Sequence, residues 1–315
     1  MGWAPAGAGA WATVALLTRM GGLKIGVIEL LFLFGPLVIV PLGMELGRLG
    51  MQRVGFWAEL AQSLQPLGAL FAVTALVMVP GTWAGVMALG WMLVCALASV
   101  AGMIELVQEF GSGLKTGVSA IAIAVAKIDL AVGGAWLVAS RLGMRPMGIQ
   151  EPIGLLTAVH FHFAGFAAAI VASATLRFAE GLGEVQWLRR VVLALLVLPF
   201  AVAVGFVTSP VLKMVAAAAF SLTVALFAGF MWKVSCGVVS RHARGLLRIS
   251  SGAIFVGMGL SSAYAVTDFL KSEALTIPRM ASTHGVLNAV GFCLLGLLGW
   301  LVEAESSAER AGRRI

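Results

Sequence analysis

The chain has 315 residues, 60% of them hydrophobic and 11% charged, and its mean hydropathy is +1.01. Water-soluble globular domains carry about 25% charged residues, so this composition excludes a soluble enzyme and describes a polytopic membrane protein. The net charge of +7 calls for no nucleic acid, because basic residues in short loops orient membrane helices and meet anionic lipid.

The first segment, "MGWAPAGAGAWATVALLTR", has no basic residue ahead of its apolar part and ends on Arg19, unlike a secretory signal. Residues 1–22 therefore read as a short interfacial or extracytoplasmic lead-in. A hydrocarbon core of about 30 Å takes about 20 apolar residues in a helix, and only helices or closed barrels satisfy the backbone there. The apolar runs that follow are too long and continuous for barrel strands. They predict about nine helical spans, near 23–42, 64–80, 83–105, 117–139, 153–176, 188–208, 210–232, 248–270 and 280–302. "VPGTW" and "TSPVL" make tight turns after the second and sixth. The fold class is all-α, a single transmembrane helix bundle over 23–302, with a polar cytoplasmic tail over 303–315. Glycine pairs at Gly43/Gly47, Gly81/Gly85 and Gly113/Gly117 suit close helix contact. Cys95, Cys236 and Cys293 lie far apart in apolar segments with no CxxC pair, which excludes a disulfide framework and leaves them as small core residues.

Orientation follows from the basic residues. Connections on the N-terminal side hold Arg19, Lys24, Arg141, Arg145, Lys213, Lys271 and Arg279. The other side holds more: Arg48, Arg53, Lys115, Arg177, Arg189, Arg190, Lys233, Arg241, Arg244, Arg248, Arg310, Arg313 and Arg314. The positive-inside rule then places the N-terminus outside and the C-terminus in the cytoplasm, in a multi-pass protein of the bacterial inner (plasma) membrane.

Ionisable groups within a span cost a few kcal/mol each, so each is a candidate for function. Glu29 lies in "KIGVIELLFLFGP", Lys127 and Asp129 in "AVAKIDLAVGG", His160 and His162 in "LLTAVHFHFAGF". Tyr264 and Asp268 lie in "SSAYAVTDFL", His284 and Asn288 in "MASTHGVLNAVGF", and Glu105 and Glu109 at the end of the third span. At 1.5 Å per residue, Glu29, His160 and His284 project roughly 6–11 Å inside the outer ends of their spans. Tyr264, Asp268 and Asp129 approach the same outer half from the ends of even-numbered spans. Tyr264/Asp268 and His284/Asn288 are i,i+4 pairs, each on one helix face. His160 and His162 are about 200° apart on a regular helix and cannot share a site unless the helix is broken, so one is expected in the site, marginally His160. Lys127 and Asp129 diverge in the same way.

The stretches "IELLFLFGPLVIVPLG" (28–43), "EPIGLLTAVHFHFAGF" (151–166) and "THGVLNAVGF" (283–292) resemble the YndJ-like family of bacterial membrane proteins. The resemblance implies a polytopic membrane fold and singles out Glu29, His160, His162, Thr283, His284 and Asn288. No phosphate loop, nucleotide fingerprint, HExxH or Ser-His-Asp order is present.

The residues support three activities, of which the first is favoured and the other two are alternatives. The first is a cofactor-free membrane enzyme, terpene-cyclase-like, performing acid–base cyclisation or isomerisation on an apolar isoprenoid-type substrate from the bilayer. Desolvated carboxyls can act as general acids; Glu29 or Asp129 would serve, with His160 or His284 taking a proton back and His162, Tyr264, Asp268, Thr283 and Asn288 orienting. The second is a metalloenzyme using His160, His284, Glu29 and Asp268, disfavoured by the spacing of the one close His pair and the lack of ExxH; no metal is assigned. The third is a proton-coupled transporter of a small molecule, since buried Asp, Glu and His also form proton relays; against it, the polar groups lie in one outer layer, only Glu105 and Glu109 offer acids toward the inner side, and there is no paired broken-helix repeat. Membrane lipid and an apolar small molecule are the expected partners.

Overall fold

The computed structural model describes residues 2–51, 54–111, 117–183, 185–272 and 274–312. Arg53, Gly113, Lys115, Arg313 and Arg314, used above for charge and spacing, lie outside the described residues. The described residues form helices and no strands, as expected where no water is available to satisfy an open backbone. Among the described residues a first helix, α1 (Ala4–Arg19), precedes nine that are long and apolar enough to cross a membrane. These are α2 (Val27–Arg48), α3 (Phe56–Val77), α4 (Thr82–Gly111), α5 (Val118–Arg141), α6 (Ile153–Glu180), α7 (Gln186–Thr208), α8 (Pro210–Ser235), α9 (Arg241–Phe269) and α10 (Ile277–Arg310). The chain is a multi-pass membrane protein, and each predicted span has its helix. Several helices outrun their predicted windows because amphipathic ends stay helical past the apolar stretch. "FWAELAQSL" opens α3, and "RHARGLLR" opens α9 behind Ser240, whose Oγ accepts from the Ala243 N–H at 3.4 Å.

Two compact units divide the chain, Met1–Ala168 and Ala169–Ile315, with the boundary inside α6. In the first unit the lead-in proves to be a packed helix. α1 runs antiparallel to the start of α2: Trp11 Nε1–H donates to the Leu30 carbonyl at 2.8 Å, its ring meets Phe34 edge-on at 5.1 Å, and Gly7 abuts the Leu37 carbonyl. Small residues set the other helix contacts. Gly102 of α4 faces the Ala124 carbonyl, Gly134 of α5 faces Cys95, Gly85 faces Leu142, and Gly43 faces the Phe166 ring.

In the second unit α8 packs on α7 and α9, and α9 on α10. Trp300 Nε1–H donates to Thr175 Oγ1 at 3.1 Å. Cys95 and Cys293 are buried, whereas Cys236 is exposed just past the end of α8. Residues 303–312, expected in a solvated tail, continue the last helix. Glu303 is 3% exposed, and its carboxylate accepts the N–H groups of Val239 (3.0 Å) and Ser240 (2.9 Å), an anion set at the N-terminus of α9. Glu303→Ala leaves two half-buried N–H groups without their acceptor and is expected to cost about 2 kcal/mol. Glu303→Gln, which keeps one acceptor, is expected to cost less, and the thermal midpoint in detergent checks the order.

Three helices change to π geometry along part of their length: α2 over Gly35–Ile39, α6 over Phe161–Ala167, and α10 over Ala281–Gly285 and Leu287–Leu294. Such widened turns occur often at functional sites. In α2 the cause is local, because Pro36 lacks an N–H and its ring crowds the preceding turn. The Pro36 carbonyl accepts from Gln65 Nε2 at 2.5 Å.

Candidate functional site

α5 carries charge on two faces. Asp129 lies halfway along it, 1% exposed, with Oδ1 buried and without a hydrogen bond. The carboxyl fits because residue 165 is glycine: a Cβ there would stand 2.8 Å from Oδ2. Gly165 belongs to the π segment of α6, so the widened turn and the carboxyl are one arrangement.

The same segment holds His162, which is 0% exposed. Its Nδ1 lies 2.8 Å from the Ala158 carbonyl, and its Nε2 lies 2.9 Å from Trp91 Nε1. A carbonyl only accepts and an indole only donates, so the proton is on Nδ1 and the ring is neutral. Phe32 packs edge-on at 4.9 Å. Gly35 and Gly133 leave the ring its space, since Cβ atoms there would stand 3.4 Å from His162 Cβ and 2.6 Å from Nδ1.

His160 points elsewhere. It is exposed, its Nδ1–H donates to the Leu156 carbonyl at 2.7 Å, and its Nε2 has no protein partner among the described residues. The two histidines diverge as helical spacing requires.

Glu29 sits shallower than the span boundary suggested. α2 begins at Val27, so Glu29 is half-buried in the first turn, folded back over Gly26, where a carboxylate meets the positive end of the helix. Glu151 caps α6 by accepting the Leu155 N–H at 3.2 Å. Both acids act electrostatically on Arg141, the last residue of α5.

On the other face of α5, Lys127 pairs with Glu105 (Nζ–Oε1 2.5 Å) and touches Met51 Sδ at 3.4 Å. Glu105, read above as a residue at a span end, is thus a largely buried partner, and its Oε2 has no hydrogen bond. Lys127 lines a cavity of about 20 Å³ with Met44, Arg48 and Gln62, room for about one water. Glu105→Gln removes the counter-charge of a buried lysine and is expected to destabilise by about 3–5 kcal/mol, whereas the double change Glu105→Met/Lys127→Met restores most of it. Urea unfolding in detergent measures both.

In the second unit His284 donates from Nδ1 to the Gly257 carbonyl (2.8 Å) and accepts at Nε2 from Asn288 Nδ2 (3.0 Å), again a neutral ring. Asn288 Oδ1 is buried against Gly257 without a hydrogen bond. Thr283 is exposed and bonds the Arg279 carbonyl at 2.7 Å. Tyr264 is half-buried, and its carbonyl accepts from Thr267 Oγ1 at 3.0 Å. Asp268 forms an ion pair with Lys213 (2.6 Å), whose ammonium also lies 4.9 Å from the centre of the Phe206 ring.

Among the described residues, no three His, Cys, Asp or Glu converge as metal ligands would. Within their units, Asp129 meets the His162 segment through Gly165, and His284 meets Asn288, whereas Glu29 forms no ion pair with Arg141. Sequence reasoning missed Trp91 and Arg141. Trp91 lies well inside its span rather than at an interfacial belt, which is the one signal that could have flagged it. Arg141 was counted only as a loop charge.

The family model for "YndJ-like protein" matches residues 30–292, a range that includes Asp129, both central histidines, His284 and Asn288. The "Uncharacterized membrane protein YndJ" of Bacillus subtilis (strain 168) is 29% identical over 241 residues, 76% of this chain and 41% of that protein. The chain therefore spans about two fifths of the length of that relative. No solved structure matches the chain. With the match running from within α2 to within α10, the chain belongs to the YndJ-like family.

Proposed function

We propose that this protein is a proton-coupled transporter of a small molecule, with Asp129 as the carboxyl that takes up and releases the proton. The observation that carries the reading is the isolation of Asp129: halfway along a membrane helix, sealed, and with Oδ1 unpartnered. An unpaired carboxylate in an apolar interior costs several kcal/mol, and most of that cost is removed when the group is protonated. Its charge state is therefore tied to whether water can reach it, which is what a proton carrier requires. A sealed carboxyl can receive a proton through side chains and single waters, whereas chemistry on an isoprenoid needs a chamber of substrate size. The Lys127–Glu105 pair and its water-sized cavity supply a second polar station on the same helix, near Arg48. In this reading the Arg48 side, which carries the excess of basic residues, faces the cytoplasm, and the membrane is the bacterial inner membrane.

One observation favours the enzyme reading instead. His160 is exposed and its Nδ1 is held by the Leu156 carbonyl, which leaves Nε2 as the nitrogen that could serve a substrate from the bilayer as base. His160→Gln separates the two, since it leaves proton exchange unchanged in a transporter and removes the base in a cyclase. The test of the proposal uses liposomes containing the full chain and a trapped pH-sensitive dye, with the membrane potential clamped. An imposed pH gradient is expected to collapse faster than in protein-free liposomes. Equal rates overturn the proposal.

A further inference from the structure

We propose that Arg141 forms a binding site for an exchangeable oxyanion, a carboxylate or phosphate group, between the starts of α2 and α6. This goes beyond the proton reading and does not depend on Asp129.

Arg141 is 6% exposed. A guanidinium has five N–H donors, yet Nη2 reaches only Ser140 Oγ at 3.3 Å, and Nε is buried with no partner. No carboxylate forms an ion pair with it among the described residues. One long hydrogen bond does not offset the desolvation of a cation, so the group is built to receive something negative.

Glu151, with the larger effect, and Glu29 act on it electrostatically, but Glu151 accepts the Leu155 N–H, Glu29 folds back over Gly26, and neither forms an ion pair with the guanidinium. Neither fills the fork. The positive ends of α2 and α6 add to its field, while the two carboxylates weaken it, so that an anion bound there can leave again. A fork of parallel N–H donors fits the paired oxygens of a carboxylate or phosphate better than a point charge such as chloride. Those oxygens can belong to a soluble anion or to a lipid headgroup.

The test uses the full chain in phosphatidylcholine nanodiscs, titrated with inorganic phosphate and with acetate. Thermal unfolding is followed by tryptophan fluorescence. The wild type is expected to show a saturable rise in midpoint. Glu151→Gln, which removes a repelling charge, is expected to bind several-fold more tightly. Arg141→Lys keeps the charge but loses the fork and is expected to bind about tenfold more weakly, and Arg141→Gln is expected to lose the effect. Asp129→Asn is expected to retain it, which separates this proposal from the proton reading. If added phosphatidylglycerol raises the midpoint and abolishes the phosphate effect in an Arg141-dependent way, the oxyanion is a lipid headgroup; if phosphate still acts, it is soluble. No saturable effect of phosphate, acetate or phosphatidylglycerol on the wild type overturns the proposal. So does an equal effect in Arg141→Gln or, should that variant fail to fold, an unchanged affinity in Arg141→Lys.

Discussion

Replacing Asp129 with Asn is expected to reduce protein-dependent proton flux in liposomes at least about 100-fold, the scale lost when a positioned proton-transfer group is removed. Stability is expected to hold or rise. Asparagine matches aspartate in shape, so it fits against Gly165, and it removes the cost of ever placing a charge at a site that offers Oδ1 no donor. The unusual feature of this substitution is that activity and stability move apart. A residue that only braced the bundle would lose both. Two controls isolate the carboxyl from its packing. Asp129→Glu keeps the acid but adds a methylene where Gly165 already stands in contact, at a cost of about 1–3 kcal/mol. Gly165→Ala brings a methyl to within 2.8 Å of Oδ2 and is expected to destabilise comparably while keeping the acid. Flux lost in Asp129→Asn but retained in the folded fraction of Gly165→Ala assigns the function to the carboxyl.

His162→Ala is expected to be among the most destabilising single changes in the first unit, by about 4 kcal/mol. Two terms combine. Removing a fully buried ring leaves a cavity between Phe32, Trp91 and Gly133, and large-to-small core changes of this kind cost about 2–5 kcal/mol. The indole N–H of Trp91 is then left buried without an acceptor, about 1–3 kcal/mol more where relaxation is poor. Trp91→Phe removes the donor and keeps most of the ring volume, so it is expected to fall between His162→Ala and wild type. His160→Ala, on the exposed side of the same helix, is expected to stay within about 0.5 kcal/mol of wild type. Denaturant unfolding in detergent orders the three. Equal effects at His160 and His162 would mean that the buried Trp91–His162 hydrogen bond does not hold the first unit together.

The contrast between these histidines shows how far the sequence was legible. Two residues apart on a helix, they had to face different ways, and they do. Which of them is buried depends on Trp91, Phe32 and Gly133, which come from three other helices and leave no mark in the local pattern. The spans were legible because hydrocarbon thickness imposes a length and an apolar composition. Their ends were not, because the first turns of α3 and α9 mix polarity as a loop does. Glu105 and Lys127 are separated by a whole connection, and nothing local says that they meet. Glu303 failed for the same reason: within "EAESSAER" its composition is that of a solvated tail, and only its distant partners, the Val239 and Ser240 N–H groups, reveal a buried cap. Asp129 stood out because a carboxyl in the middle of an apolar run is expensive in any packing. Gly165, which makes room for it, became meaningful only once the two helices were seen together.

Infrared difference spectroscopy on the reconstituted protein, across a step in pH, measures proton exchange at Asp129 most directly. A carboxylic C=O band that changes with the step in wild type, moves on transfer to heavy water and is absent from Asp129→Asn is the predicted result. A band unchanged by the substitution, or no protonation change at any buried carboxyl, would contradict it.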